Sequence, residues 1–484
     1  MKTFACFLLL TLLLSTVLSA LHVPPTVTTH ITHDGVRTTI RETTGGWPQC
    51  APQEEQWSGY FDIPGRTPGN LKHYFYWLFG PRTHNPDAPI ILWMTGGPGC
   101  SSTLAMLVEL GPCAVNPTTI EVEENPWSWN EEAYLLFVDQ PAGVGFSHAD
   151  KDEWDRNQAQ VAEDMFQFVQ ALLTAHPTLR QNRLFVVGES YGGHYAPATA
   201  HRIVQGNTRG EGEPIRLAGL GVGNGLTDSS IQYPLYHVMA YDYCEQKLGT
   251  PCVTKEERDE MASYVPRCKQ YIDYCNAGDT TPAADACNQA QRYCQSIPAA
   301  YYATGRNPYD IRRQCDPDVD LCYNLTHVDA FLNRPEVQTA LGVDPFIAWE
   351  SCNMDVNSMF AVDFFKNFNT SVAAVLEAGV PVLIYAGDTD FICNWIGNKA
   401  WLLSLNWTRQ GAFAEKFDVP FSVEGGDAVI GLARSVAGGE AYATTSPIWL
   451  SFVQLFDAGH MVPMDQPAAA QTMIHHFIRD EPFR

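Results

Sequence analysis

The feature that most constrains this chain is the segment Gly-Glu-Ser-Tyr-Gly at residues 188–192, which directly follows an apolar run at 183–187. A short, continuous apolar run predicts a strand buried on both faces. The pattern G-x-S-x-G after a strand is typical of a sharp strand-to-helix turn that lifts a serine hydroxyl above a sheet. Glycines on either side remove side chains that would collide in the bend. We therefore expect Ser190 to be a nucleophile.

Other apolar runs and helical periodicities extend this pattern along the chain. Strands are predicted at 70–80, 88–94, 133–138, 215–223, 380–385 and 448–456, and helices at 152–176 and 465–479. Strands that alternate with helices indicate a mostly parallel, twisted sheet with helices on both faces. The predicted fold class is α/β, specifically the α/β-hydrolase fold. The chain is predicted to form one catalytic domain over 50–484.

From about 228 to 345 the pattern changes. Apolar strands disappear, and eight of the 14 cysteines fall between Cys244 and Cys322. We interpret this stretch as a helical insertion that caps the carboxyl edge of the sheet and is held by disulfides. Such cysteine use indicates an oxidising compartment. Zinc binding is not favoured, because no C-x-x-C pair or matching histidine spacing is present.

The amino terminus predicts a secreted route. Lys2 and the apolar run 4–18, with small residues at 19–20, are typical of a signal peptide over 1–20. The run is too short for the ~20 residues of a spanning helix, so no membrane association is expected after its removal. Residues 21–49 are rich in Thr and His without an apolar period. They are interpreted as a pro-segment or a loose extension.

Sequons and charge agree with that route. Asn324, Asn369 and Asn406 begin glycosylation sequons. The net charge of −24 argues against nucleic acid as a partner and is compatible with acidic surroundings. The expected location is the secretory pathway, with lysosome or vacuole versus secretion left open. The oligomeric state is open as well.

Partners for Ser190 follow later strands in the order serine, acid, histidine. After the strand at 380–385 come Asp388 and Asp390, and after the strand at 448–456 comes His460. An imidazole base steered by a carboxylate activates a serine hydroxyl. Spacing alone does not choose between the two aspartates.

An oxyanion hole requires backbone N–H donors. Tyr191, next to the nucleophile, supplies one, and the Gly-rich loop at 95–102 is expected to supply the other. A phosphate loop is excluded because no G-K-[ST] follows. A dinucleotide fingerprint at 219–224 fails at Asn224, and a calcium loop at 316–327 fails at its sixth and twelfth positions. No metal or organic cofactor is implied.

Five segments together resemble the serine carboxypeptidases, the acidic, carboxypeptidase Y-like peptidases of the α/β-hydrolase fold. The similar segments lie at 93–102, 188–195, 223–228, 387–394 and 459–463. By this resemblance Ser190 is the nucleophile, His460 the general base and Asp390 the acid. The oxyanion donors are then the N–H groups of Gly97 and Tyr191.

Because the family removes residues from peptide C-termini, the resemblance also implies a site for a free carboxylate. Glu109 and Glu189 would form a carboxyl pair that keeps one proton and donates it to the substrate, so that binding weakens as pH rises. The N–H of Gly96 would help. The family's usual asparagine is Thr95 here, whose shorter hydroxyl can donate once, so a lower affinity for the carboxylate is expected.

The resemblance places further residues around the substrate and pairs the cysteines. Met461 and Tyr309 are expected to line the pocket of the leaving residue, and Trp93 and Cys393 to belong to the substrate site. P1 and P1′ preferences stay open. The expected disulfides are Cys100–Cys352, Cys244–Cys252, Cys268–Cys294, Cys275–Cys287 and Cys315–Cys322, with Cys50–Cys113 assigned to two leftover cysteines. Cys393 then stays free beside the site, which predicts sensitivity to mercurials.

The resulting hypothesis is a serine-type carboxypeptidase that releases C-terminal amino acids from peptides and proteins at acidic pH through a Ser190 acyl-enzyme. Two alternatives remain, since a fold does not determine a reaction. One is an acyltransferase or esterase on the same scaffold, which comparing a peptide acid with its amide would separate. The other is a non-catalytic stabilising protein, which a Ser190→Ala variant with full biological activity would indicate.

Overall fold

The computed structural model describes residues 27–33, 36–278, 280–316, 319–423, 426, 428–437 and 449–483. In those residues the strands are β1 (Val27–His33), β2 (Val36–Thr44), β3 (Gln56–Pro64), β4 (Leu71–Phe79), β5 (Ile90–Met94), β6 (Cys113–Val115), β7 (Val122–Glu124), β8 (Tyr134–Val138), β9 (Leu184–Glu189), β10 (Leu217–Gly223), β11 (Val382–Gly387), β12 (Val419–Ser422), β13 (Val429–Val436) and β14 (Leu450–Leu455).

The helices lie between and after these strands. The α-helices are Ser102–Ala105, Gln158–Ala175, Gly192–Arg209, Ser229–Gln232, Tyr236–Val238, Cys244–Leu248, Lys255–Cys275, Thr281–Tyr293, Ala299–Ala303, Thr326–Leu332, Pro335–Leu341, Met354–Met359, Asn369–Glu377, Trp395–Leu403, Gln410–Ala414, Val462–Asp465 and Pro467–Ile478. Short 3₁₀ or π turns are Met106–Leu110, Trp129–Glu131, Lys151–Glu153, Pro177–Gln181, Tyr233–Leu235, Met239–Tyr243, Cys294–Ser296 and Asp320–Cys322. None of the helices in the described part is both long and apolar enough to cross a membrane.

Twelve strands form one sheet in the order β1-β2-β3-β4-β8-β5-β9-β10-β11-β14-β13-β12, and β6 pairs with β7 separately. The six central strands from β8 to β14 are parallel to one another. The flanking strands are antiparallel. The carboxyl ends of the central strands therefore meet at one edge, where open α/β sheets place their sites.

Both faces of the central sheet are covered, which confirms the predicted α/β-hydrolase class. Every residue of β5, β8, β9, β11 and β14 is buried. Neighbouring residues along β9 enter separate cores, Val186 one and Val187 the other. Side chains of a strand alternate between faces, so the continuous apolar runs reflect two covered faces.

The segment between β10 and β11 is mainly helical and contains four disulfides. These are Cys244–Cys252, Cys268–Cys294, Cys275–Cys287 and Cys315–Cys322. Two further disulfides, Cys50–Cys113 and Cys100–Cys352, join distant parts of the chain. All six pairs coincide with those expected, and Cys393 is free and buried.

The amino-terminal stretch differs from the expectation of a loose extension. Residues 27–33 form β1 and residues 36–44 form β2, and β2 pairs antiparallel with both β1 and β3. Thr38, Ile40 and Thr43 are buried. β-Branched side chains favour strands even when they are polar. The absence of an apolar period therefore does not exclude strands in this stretch. The signal-peptide segment 1–20 lies outside the described residues.

Candidate active site

Ser190 lies in the tight turn between β9 and the helix Gly192–Arg209. Its φ of 62° is in the left-handed region, which is costly for a residue with a side chain. The turn is held by bonds from Ser190 N to Gly223 O (3.1 Å) and from Leu226 N to Ser190 O (2.9 Å). A Cβ on Gly188 would stand 2.6 Å from Gly192 O. The chain can bend this sharply only with glycine at that position.

His460 and Asp390 form a buried pair beyond the ends of β14 and β11. His460 Nδ1 lies 2.9 Å from Asp390 Oδ2. A carboxylate only accepts, so Nδ1 carries the hydrogen and Nε2 of a neutral ring is left as a base. Asp390 also accepts from the backbone N–H groups of Ile392 and Cys393 and from Asn224 Nδ2 at 2.7 Å. These donors fix the carboxylate, and through it the ring of His460.

The other candidate acid, Asp388, is engaged elsewhere. Its Oδ2 accepts from Lys247 Nζ (2.7 Å) and Tyr243 OH (3.1 Å), and its Oδ1 accepts from Asp457 N (2.8 Å). Burial raises the pKa of Asp388, which Lys247 opposes. Lys247 also reaches Asp457 at 2.8 Å. Asp388 therefore connects the helical segment to the loops that carry Asp390 and His460.

Ser190 lies at the same edge of the sheet, beside the end of β10. Gly223 O accepts from Ser190 N, and the next residue, Asn224, binds Asp390. Among the described residues, the Ser190 hydroxyl makes no hydrogen bond within 3.5 Å. Catalytic hydrogen bonds are often long without substrate and tighten in the complex. The serine, the histidine and the aspartate thus lie at the same edge of the sheet.

The Gly-rich loop after β5 packs against the backbone of the nucleophile turn. A Cβ on Gly96 would stand 2.3 Å from Tyr191 N and 2.7 Å from Glu189 O. In the described part of the chain, the N–H groups of Gly96, Gly97 and Tyr191 have no protein acceptor. Unpaired N–H groups beside a serine hydroxyl are the arrangement that an oxyanion hole requires.

Glu109 and Glu189 form a buried carboxyl pair. Glu109 lies in the π turn Met106–Leu110, and Glu189 is the last residue of β9; their exposures are 5% and 2%. Burial raises the pKa of Glu109 to about 8. Burial and the nearby Glu109 raise that of Glu189 well above its usual value. A hydrogen bond between them requires that one keep a proton, and Oε2 of each has no protein partner among the described residues.

Thr95 is oriented by Trp93. Trp93 Nε1 donates to Thr95 Oγ1 at 2.9 Å. Because the indole occupies a lone pair of this oxygen, the hydroxyl hydrogen of Thr95 is left to donate elsewhere. Trp93 itself is fully buried. Its side chain therefore acts on the site through Thr95 and does not line a surface for substrate.

Three further expected residues surround His460. The ring of Tyr309 lies 5.1 Å from the imidazole, and Tyr309 O accepts from His460 N at 2.8 Å. Met461 is the half-buried residue next in the chain. Cys393 Sγ lies within 4.8 Å of the ligating atoms of Asp390 and His460, and burial raises the pKa of its thiol.

Sequence reasoning missed Asn224, Lys247 and Tyr323. Asn224 has a φ of 41° between two glycines at the end of β10, a signal for a functional turn that was available. The Tyr323 hydroxyl is buried without a partner among the described residues, and burial, followed by nearby carboxyl groups that include the pair, raises its pKa well above the usual value. No local pattern marks Lys247 or Tyr323, because their partners lie far away in the chain.

The three sequons differ in exposure. Asn324 and Asn406 are exposed. Asn369 is half-buried, and its Nδ2 donates to Asp228 Oδ2 at 2.7 Å. The glycan acceptor nitrogen of Asn369 is therefore engaged in the folded chain.

The central parallel sheet, the strained serine turn and the His460–Asp390 pair define an α/β hydrolase. The chain matches the family described as serine carboxypeptidase over residues 48–480, and it belongs to that family of hydrolases. It is 37% identical to serine carboxypeptidase-like 49 of Arabidopsis thaliana over 87% of this chain and 76% of that one. It is also 37% identical to a vacuolar serine-type carboxypeptidase of Saccharomyces cerevisiae over 88% and 79%.

A solved structure shares the fold. A prohormone-processing carboxypeptidase of Saccharomyces cerevisiae, Kex1, superposes with a TM-score of 0.73 at 24% identity, covering 88% of this chain and 92% of that one. At this identity the likeness supports the fold.

Proposed function

We propose that the chain releases single amino acids from the C-termini of peptides and proteins, most efficiently at acidic pH, through an acyl-enzyme on Ser190. The observation that carries this proposal is the buried Glu109–Glu189 pair directly beside the nucleophile turn. Membership of the family supplies the reaction class, and the pair supplies a reason for action at a chain end.

The chemistry follows from the geometry of the triad. Ser190 Oγ attacks the carbonyl carbon of the last peptide bond, while His460 Nε2 takes the hydroxyl proton. The N–H groups of Gly97 and Tyr191 stabilise the negative oxygen that forms. His460 then gives its proton to the leaving amine, the C–N bond breaks, and water releases the acyl group by the same route. Asp390 holds the imidazole throughout.

Selection of a chain end requires recognition of the substrate carboxylate. The proton shared by Glu109 and Glu189 supports a charge-assisted hydrogen bond to that carboxylate. The hydroxyl of Thr95, oriented by Trp93, and the N–H of Gly96 supply further donors. Once the pair has lost its proton, it repels the substrate. The affinity is therefore expected to fall as pH rises towards about 8, where Glu109 titrates.

The leaving residue is proposed to lie against Tyr309, Met461 and Cys393, which surround His460. Their apolar surfaces suit an uncharged side chain. The location proposed for the protein is the secretory pathway, in a vacuole or lysosome or outside the cell. The six disulfides support an oxidising compartment.

The test is timed release of amino acids from one peptide, offered as its free acid and as its C-terminal amide, across pH 4 to 8. We expect release from the acid, strong discrimination against the amide, and loss of activity after a serine-directed organophosphate. Ser190→Ala is the matched control. Equal rates for acid and amide would favour an esterase or acyltransferase. Release that persists in Ser190→Ala would refute the proposed nucleophile.

A further inference from the structure

A second group of histidines and carboxylates lies outside the active site. His73 in β4 and His148 exchange two backbone hydrogen bonds of 2.9 and 3.0 Å. Their imidazole rings stack at 4.4 Å between centroids with an interplanar angle of 26°. Asp344 reaches this pair from the segment after Pro335–Leu341, with Oδ2 at 2.9 Å from His148 Nε2. Three segments distant in sequence thus converge on one spot.

The position of this group is fixed by the sheet. β4 is antiparallel to β8, and Tyr76 pairs with Val138, the last residue of β8. His73 therefore lies beyond the carboxyl end of β8, at the same edge as Ser190 but three strand positions from β9. The group does not contact the triad, and the proposed reaction makes no use of it.

We propose that His73, His148 and Asp344 bind a divalent transition-metal ion of the Zn²⁺ class at neutral pH. One ligating atom from each residue lies within 4.8 Å of the other two. Two imidazoles and one carboxylate are a ligand set that Zn²⁺ accepts in proteins, with water completing the coordination. Side-chain exposures of 25%, 31% and 22% leave room for solution ions and water to enter.

A carboxylate outside the ligand set orients His73. Its Nδ1 lies 2.7 Å from Asp62 Oδ1. A carboxylate that accepts from one ring nitrogen fixes the tautomer and directs the other nitrogen outwards, as in carboxylate–histidine–metal arrangements. Nε2 of His73 is therefore the ligating atom. At His148 the ion would take the place of the hydrogen that now bridges Nε2 and Asp344.

The charge around the group also suits a cation. Arg41 binds both Asp62 and Asp344, with Nη2 at 2.9 Å from an oxygen of each. Tyr60 lies beneath the Arg41 guanidinium, 4.7 Å from centroid to Cζ, and its hydroxyl accepts from Asp344 N. The carboxylates of Asp62 and Asp344 against the one guanidinium of Arg41 leave one net negative charge beside the imidazoles.

Metal at this position would connect the amino-terminal strands to the oxyanion loop. Arg41 belongs to β2, and the segment that carries Asp344 continues to Cys352, which is bonded to Cys100. Bound metal should therefore raise thermal stability at pH 7.5.

The experiment is calorimetric titration of the full chain with Zn²⁺ at pH 7.5, with melting temperature as a second readout. Asp390, Cys393 and His460 are a second group whose atoms lie within 4.8 Å. A Cys393→Ser background removes the thiolate from that group. In this background we expect one saturable Zn²⁺ at pH 7.5, together with a higher melting temperature.

His73→Gln/His148→Gln should weaken the Zn²⁺ affinity by at least about 100-fold, while the matched variant His201→Gln, a half-buried histidine elsewhere, should not. If the double variant fails to fold, His148→Gln alone keeps a donor to Asp344 and is expected to weaken binding about 10-fold or more. Unchanged affinity in the histidine variants, or no saturable binding in the Cys393→Ser background, would overturn the proposal.

Discussion

Two pairs of buried carboxyl groups lie near Ser190, and the two pairs differ in their hydrogen-bond partners. Asp388 and Asp390, after β11, receive donors: Lys247 and Tyr243 bind the first, and His460 and Asn224 bind the second. Glu109 and Glu189 have no cation among their described partners, and each leaves one oxygen unpaired. Carboxylates of the first kind can hold geometry, whereas a pair of the second kind must keep a proton.

Under the proposed function, this difference separates two tasks, the positioning of a base and the recognition of a chain end. In the proposed function, Asp390 positions the base His460, and Asp388 holds the neighbouring loops together. In the proposed function, Glu109 and Glu189 recognise the substrate carboxylate, and the charge of the pair changes with pH. We propose that pH acts on substrate binding through Glu109 and Glu189, while Asp388 and Asp390 keep their hydrogen bonds.

Removing the charge on the aspartate side should have the largest effect. Asp390→Asn leaves the shape but lets the amide bind the wrong tautomer of His460, and kcat should fall about 10⁴-fold. KM should change little, since Asp390 does not face the substrate carboxylate. Steady-state kinetics on a peptide acid checks this, with melting temperature as the folding control. A large rise in KM with unchanged kcat would contradict the division of tasks.

The glutamate side should give a smaller effect of a different kind. Glu189→Gln retains a donor at every pH but loses the shared proton, so KM for a peptide acid should rise about 10-fold at pH 5. The rise of KM with pH that the wild type shows should flatten. Glu109→Gln is the matched partner variant and should behave alike. KM profiles from pH 4 to 9 check both; an unchanged profile would remove the pair from substrate recognition.

The same pair should make folding pH-dependent. The pKa of Glu109 is about 8 in the folded chain against an ordinary 4.5, so the folded state holds more protons between these values. Stability should therefore decrease as pH rises from about 4.5 to about 8. Urea unfolding at several pH values measures this slope, and the Glu109→Gln/Glu189→Gln variant should show a shallower one. Equal slopes would place the titrating group elsewhere.

The contribution of the Lys247–Asp388 contact to stability can be measured separately. Lys247→Met leaves Asp388 buried without its cation, so the free energy of unfolding should fall by about 1–3 kcal/mol. The Lys247→Met/Asp388→Asn double variant should recover part of this loss, because no buried charge remains. Denaturant titration measures both. Identical stability of the two variants would show that the Lys247–Asp388 contact is not the cause.

The smallest effect on activity is expected from substitution of Cys393, measured without a mercurial. Its thiol packs beside Asp390 and His460, so Cys393→Ser should retain most activity while losing sensitivity to mercurials. Activity before and after a mercurial, in wild type and variant, tests this. Equal inhibition of both would mean that the reagent acts at another place.

Much of this architecture was predictable because it depends on local signals. Apolar runs buried on both faces marked the central strands, and the G-x-S-x-G turn marked Ser190. The strands β1 and β2 were not predicted, because their polar β-branched residues, such as Thr38 and Thr43, lack the apolar pattern of a buried strand. Asp388 and Asp390 were separable only by resemblance, since Lys247 and Asn224, which distinguish them in space, lie more than 140 residues away.

Infrared difference spectroscopy of protonated carboxyl groups tests most directly whether the Glu109–Glu189 pair keeps a proton. The proteins to compare are Ser190→Ala and Ser190→Ala/Glu189→Gln. Other buried acids such as Asp164 also titrate near neutral pH, so only the difference between the two proteins is informative. We predict a carboxylic acid band in Ser190→Ala that persists at pH 6 to 7, disappears around pH 8 and is altered by the second substitution. A spectrum in which the second substitution changes no protonated carboxyl would contradict the account.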